Sequence, residues 1–260
     1  MYRKQHIVSE TYLKHFTNEL DGKNLNVLDL KNEFRKEIQI RNSGDSIFWI
    51  KNYSDTNYFE DRKTIEKMFG SEIESKYNDI VHEISEENPD INFSIKENII
   101  QWLFFTKQRS PIWRNHLNNF INYSEFEKKL ERFVETAVSM RWTIYKTKND
   151  NNWITSDNPG FCLNIEDFLS QQKLSSIPIY DLNVDSILFY PLTKKYCLNI
   201  HPYDKGESLN LNLTNTPLNF ETTSEKFLKL INYCTYINSS RLIISNDSSS
   251  IQNLEIKNKT

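Results

Sequence analysis

The chain has 260 residues, 38% hydrophobic and 13% aromatic, and 32 Lys and Arg stand against 35 Asp and Glu for a formal charge of -3. This length and apolar content support a buried core, which excludes global disorder despite a mean hydropathy of -0.65. The charge balance excludes a protein coated in basic charge, no apolar run reaches the ~18 residues of a spanning helix, and the opening MYRKQHIVSE lacks the apolar stretch of a secretory signal.

In chain order, SETYLKHF predicts a short helix with Ser9 as its N-cap. NLNVLDL and FRKEIQI are strand-like runs around a polar KNE and predict a hairpin. Residues 44–60 are aromatic without a regular period. A long helix is expected from about Asp61 to Glu86, because Ile65, Met68, Phe69, Ile73, Tyr77, Ile80 and Ile84 recur at spacings of three and four. The next helix starts near Ser94 and ends near Arg109. Its IIQWLFF is apolar nearly all round, which makes it central, and Pro111 interrupts the pattern. A further helix is expected over about Glu125–Trp142. Beyond residue 141, RWTIYKT, NWITS, GFCLNI, SILFY and KYCLNI are short β-type runs with turn-forming residues between them. A helix at about 223–238 and a strand RLIIS at 241–245 follow. The expected class is α+β: an N-terminal β-hairpin, a central bundle of long helices (about 61–142) and a β-rich C-terminal half (about 141–245) with one or two helices. No Pro/Gly/Ser-rich linker divides the chain, so one integrated domain over 1–260 is expected.

Composition weakens several tempting motifs. There are 31 asparagines and a single alanine, the mark of an AT-rich coding sequence, so NDNN at 149–152 reads as a solvated loop. Cys162, Cys197 and Cys234 form no CxxC, which excludes the usual zinc ribbon; buried thiols in a reducing cytoplasm are expected. Five glycines leave neither GxGxxG nor a P-loop, and HExxH and GxSxG are absent. His6, His15, His82, His116 and His201 show no metal-ligand spacing.

Three weaker patterns remain. Glu74-Ser-Lys76 is an E-x-K element, as in nuclease cores where the acid holds Mg²⁺, but it falls on a predicted helix in a chain rich in both residues. Arg109 and His116 have the spacing of a phosphate-steadying cation and a general base, with Pro111 between them. Ser156-Asp157-Asn158-Pro159 follows a strand-like run. Such residues make turns by binding nearby backbone amides, and a strand-end loop also presents Asp157 as base or ligand and Asn158 as an oriented amide. His6 is either a base or a structural histidine beside Tyr12. Arg109 either complements the helix dipole or binds an anion.

Taken together, HIVSETYLKHF (6–16), DGKNLNVLDL (21–30), TIEKMFGSEIES (64–75, with Glu66 and Glu74), QRSPIWR (108–114), WITSDNPGF (153–161), FYPLTKKYCLNI (189–200), Asn232 and RLIIS resemble, in this order, the bacterial family called domain of unknown function 4238. Ser9 stands where that family has proline. The resemblance implies a single domain and a shared polar set, His6, Glu74, Arg109, Ser156, Asp157 and Asn158, but no substrate. That set suits hydrolysis of a phosphate ester, with nucleic acid or nucleotide as substrate and Mg²⁺ or Mn²⁺ as an optional cofactor. A toxin or phage-defence effector is the biological setting it suggests. The alternative expectation is a non-catalytic module: an anion pocket of Arg109, Arg114 and Arg141, or a recognition surface of Trp102, Trp113 and Trp153. A third is that the polar motifs are buried caps and turns that fix the fold.

Overall fold

The computed structural model describes residues 4–18, 22–32, 37–51, 69–86, 93–112, 123–148, 150–203 and 218–254. In order, these form β1 (Lys4–His6), α1 (Glu10–Lys14), β2 (Asn24–Asp29), β3 (Gln39–Asn42), β4 (Trp49–Lys51), α2 (Tyr77–Ser85), α3 (Phe93–Arg109), α4 (Tyr123–Val138) and β5 (Arg141–Lys146). They continue with β6 (Thr155–Ser156), β7 (Phe161–Asn164), α5 (Ile165–Ser170), β8 (Ser186–Pro191), β9 (Tyr196–His201), β10 (Leu218–Thr222), α6 (Glu225–Ile237), β11 (Leu242–Ser245) and α7 (Ser248–Gln252). The class is α+β, as expected. Among the described residues no helix is long and apolar enough to cross a membrane.

The strands form three sheets, ordered β1-β4, β10-β5-β9-β8-β7 and β3-β2-β11-β6. All pairings are antiparallel except β10 with β5. Alternation along the five-stranded sheet feeds two cores. Phe161, Leu163, Phe189 and Cys197 pack with Leu228, Ile231 and Cys234 of α6. Their neighbours Cys162, Leu188, Tyr190, Leu198 and Ile200 face the main core, with Ile99, Trp102 and Leu103 of α3. Successive strand side chains point to opposite faces, so each parity meets a different helix. The expected hairpin forms as β2 and β3, and it gains a long-range neighbour when β11 pairs with the other side of β2.

Several expectations need correcting. Of the helix expected over 61–86, residues 61–68 lie outside the described residues. Phe69–Ile73 is a π turn, Glu74–Lys76 a 3-10 turn, and regular α-helix starts at Tyr77. Gly70 sits inside the π turn, where its backbone freedom weakens a regular helix. The helix expected to reach Trp142 stops at Val138, and the Trp142 indole N–H donates to the Ala137 carbonyl at 2.7 Å, satisfying one carbonyl of the helix end. NWITS shrinks to a two-residue strand, and Ile165, the end of the GFCLNI run, instead opens α5.

Candidate functional site

The last turn of α3 is where the polar motifs meet. Its backbone is buried inside the helical layer because residues 102–110 are buried without interruption. Lys107 and Arg109 are two positions apart, so the helical turn of about 100° per residue aims them to opposite sides. Arg109 reaches the N-terminal segment and Lys107 reaches the 156–160 loop.

On the first side, Ser9 caps α1 by accepting from the Tyr12 N–H at 3.3 Å. The same hydroxyl donates a short hydrogen bond to Glu74 Oε1. Arg109 donates from Nη2 to the main-chain carbonyl of His6, and its guanidinium lies 4.1 Å from the centre of the Phe69 ring. Segments 6–9 and 69–74 are thereby joined to the end of α3. His6 and Glu74 are half-buried, whereas Arg109 is buried. The junction joins a carboxylate, a hydroxyl and a planar cation at the main chain of His6, whose ring Nε2 is itself buried.

On the second side, Ser156, Asp157 and Asn158 are all buried. Asp157 Oδ1 accepts from the backbone N–H groups of Ser240 at 2.9 Å and Arg241 at 3.2 Å. Burial raises its carboxyl pKa, and those amides oppose the rise. Ser156 Oγ accepts from the Asn158 N–H at 3.1 Å, and Asn158 Nδ2 donates to the Asn238 carbonyl at 2.7 Å. Lys107 Nζ donates to Asn158 Oδ1 at 2.8 Å and makes a shorter bond to the Gly160 carbonyl. Full burial lowers the Lys107 pKa to about 7, with the neighbouring Cys162 and Asp157 acting against the drop. This loop is therefore a paired polar network, with its side chains turned to the backbone rather than to solvent.

The two sides are bridged. The Tyr12 hydroxyl donates to the Pro191 carbonyl at 2.7 Å and shares a 2.7 Å hydrogen bond with Thr155 Oγ1, one residue before Ser156. Around it, Tyr77 stacks on Trp102 with centroids 3.9 Å apart, and the Trp102 indole donates to the Tyr190 hydroxyl at 3.1 Å.

Of the expected residues, the structure thus brings His6, Glu74 and Arg109 to one junction and Ser156, Asp157 and Asn158 to a buried loop behind it. Arg141 lies on β5 opposite His201, its guanidinium 5.2 Å from the Tyr203 ring. It therefore belongs to a different element from Arg109. Glu66, Trp113, Arg114 and His116 lie outside the described residues. Trp102 and Trp153 are fully buried, so they serve the core and not a recognition surface. Among the described residues no three His, Cys, Asp or Glu side chains group as metal ligands. Lys107 and Asn238 were missed in the sequence. The signal for Lys107 was its place beside IIQWLFF: a lysine at the end of an all-round apolar helix has to be paired. Asn238 C-caps α6, and its side chain accepts from the Ser176 N–H at 2.6 Å and donates to the Leu174 carbonyl at 2.8 Å.

Compared with known families, residues 4–249 match the model described as protein of unknown function, DUF4238. No curated protein and no solved structure matches the chain.

Proposed function

Since the chain belongs to the DUF4238 family of proteins of unknown function, which assigns it no reaction, we propose from the geometry alone that it hydrolyses a phosphate ester, in nucleic acid or a nucleotide, at the His6–Glu74–Arg109 junction. One observation carries the reading. Three segments far apart in sequence meet where Arg109 bonds the His6 main-chain carbonyl and Ser9 bonds Glu74, with residues His6 and Glu74 half-buried and Arg109 buried. His6 takes a proton from water, and the water oxygen attacks phosphorus. The bond from phosphorus to the leaving oxygen breaks, and that oxygen takes a proton from solvent. Arg109 balances charge on the phosphoryl oxygens. Glu74, held by Ser9, orients the attacking water. Ser156, Asp157 and Asn158 act as positioning residues, because their polar atoms are spent on holding the loop and Lys107. Core residues from both halves of the chain share one cluster, which supports a single domain. The three buried free thiols fit a reducing cytoplasm.

The test is hydrolysis of bis(p-nitrophenyl) phosphate and of a single-stranded oligonucleotide by the wild type and His6→Ala. Arg109 bonds the main-chain carbonyl of residue 6, so this substitution leaves that contact in place. A loss of about 10²-fold or more is expected for a general base. No turnover by the wild type, or full activity in His6→Ala, refutes the reading. Oligonucleotide binding without turnover replaces the hydrolase with an anion-binding module.

A further inference from the structure

Between α3 and α4 lies an apolar groove of about 350 Å³ that the His6 junction does not use. Ile100 of α3 and Leu130 and Val134 of α4 form its floor. Ile100 is buried, whereas Leu130 and Val134 pack on the main core and stay half-buried. The burial of α4 against the core therefore leaves part of its apolar stripe uncovered.

Every charged side chain that lines this groove is acidic: Glu97 on one helix, Glu131 and Glu135 on the other. Glu131 and Glu135 continue an exposed file that starts at Glu127. Residues four apart share one face of a helix, and like charges at that spacing repel. Lys128 and Arg132 lie on the same helix, yet among the described residues no ion pair engages any of these four carboxylates. The free chain thus holds uncompensated negative charge around an apolar floor.

The layout of that charge narrows what balances it. Among the described residues no three carboxylates group as ligands of one metal ion, so the compensating charge has to be spread out. At 1.5 Å per residue, positions 127, 131 and 135 repeat every ~6 Å, close to one helical turn. A second helix lying alongside, with Lys or Arg at every fourth position, presents cations at the same interval. Its adjoining apolar face fills the space between α3 and α4, as when an amphipathic helix lies in a groove.

We propose that the groove between α3 and α4 docks a basic amphipathic helix of a partner protein, with apolar side chains on Ile100, Leu130 and Val134 and cations against Glu97, Glu131 and Glu135. The site is separate from the His6 junction and stands whether or not phosphate esters are hydrolysed there.

Fluorescence anisotropy of the full chain with the labelled model helix LKKLLKLLKKLLKL tests it. The same residues in an order that forms no apolar face, and LEELLELLEELLEL, are each expected to bind at least tenfold more weakly. Glu131→Lys with Glu135→Lys should weaken the model helix at least tenfold. Asp150→Lys with Asp185→Lys makes the same change of net charge at exposed positions away from α4 and should leave binding unchanged. Circular dichroism checks folding, and Leu130→Asn, which attacks the floor, should also weaken binding at least tenfold and serves if the first variant does not fold. No binding at submillimolar concentration, equal binding of the reordered peptide, or undiminished binding by the folded variants overturns the proposal. Displacement of the peptide by an equal concentration of spermine would make the groove a polyamine site instead. A dimer of the free chain that Glu131→Lys with Glu135→Lys dissociates would assign it to a second copy, and either result also overturns the proposal.

Discussion

Replacing Lys107 with methionine separates the charge of the buried amine from the packing of its stem. Lys107 is fully buried, and its pKa falls from an ordinary 10.5 to about 7 because burial disfavours the cation. Below pH 7 the folded and unfolded chains both hold the proton, so this group adds no pH dependence. Between 7 and 10.5 the unfolded chain holds a proton that the folded chain has released, and stability rises with pH. Integrated from pH 7 to pH 9, this linkage is worth about 2 kcal/mol. Methionine cannot titrate, so Lys107→Met should gain about 2 kcal/mol less than the wild type over that interval. Groups common to both proteins cancel in the difference. Against this, the variant loses two hydrogen bonds, to Asn158 Oδ1 and the Gly160 carbonyl, at a pH-independent cost of ~1–3 kcal/mol for each acceptor left unsatisfied. Urea unfolding under reducing conditions at pH 7 and pH 9 reads both quantities. Identical pH slopes in the two proteins would refute a neutral-leaning lysine.

Other outcomes follow from the same neighbourhood. Asp157→Ala removes the acceptor for the 240 and 241 amides and should cost ~1–3 kcal/mol in a thermal or urea melt. A variant that loses all activity with an unchanged melt would instead place Asp157 in the chemistry. Gly160 has φ +70°, and a Cβ there would sit 2.5 Å from Tyr190 Cδ2 and 2.7 Å from the Phe189 carbonyl. Gly160→Ala should therefore lower the melting temperature by more than Asp157→Ala does, and an unchanged melt would contradict that packing. Cys162, Cys197 and Cys234 are buried, and burial pushes the pKa values of Cys162 and Cys234 up to about 12 and that of Cys197 higher. Ellman's reagent should find no fast thiol in the native chain and three in urea.

Periodicity made the large elements readable. IIQWLFF identified α3 as central because an apolar surface on every side has to be covered, and Ser9 and RLIIS were read correctly from cap chemistry and β-branching. Other elements lacked such a signal. β10 is mostly exposed along its length and shows no inward-facing repeat. α5 begins with Asn164 capping the Glu166 and Asp167 amides, a start signal that the preceding FCLN run hid. For the site, residue types pointed to both clusters, but which polar groups face inward is set by partners across the chain. Asp157 reads as a candidate base in SDNP, and only the amides of residues 240 and 241 reveal its anchoring role. Lys107 had one cue, its place beside IIQWLFF, but in a lysine-rich chain one more lysine near a helix end looks solvated.

The place of β11 between β2 and β6 bears on how the protein is made. β2 and β6 are synthesised long before residues 242–245, and until then their facing edges have no strand between them. The Asp157 carboxylate likewise waits for amides about eighty residues downstream. A ribosome-bound chain that has not reached this point carries two unpaired strand edges, the surface that recruits chaperones or seeds aggregation. Folding of this sheet is therefore tied to synthesis of residues 240–245, and termination before residue 240 leaves the loop behind the His6 junction without its anchor.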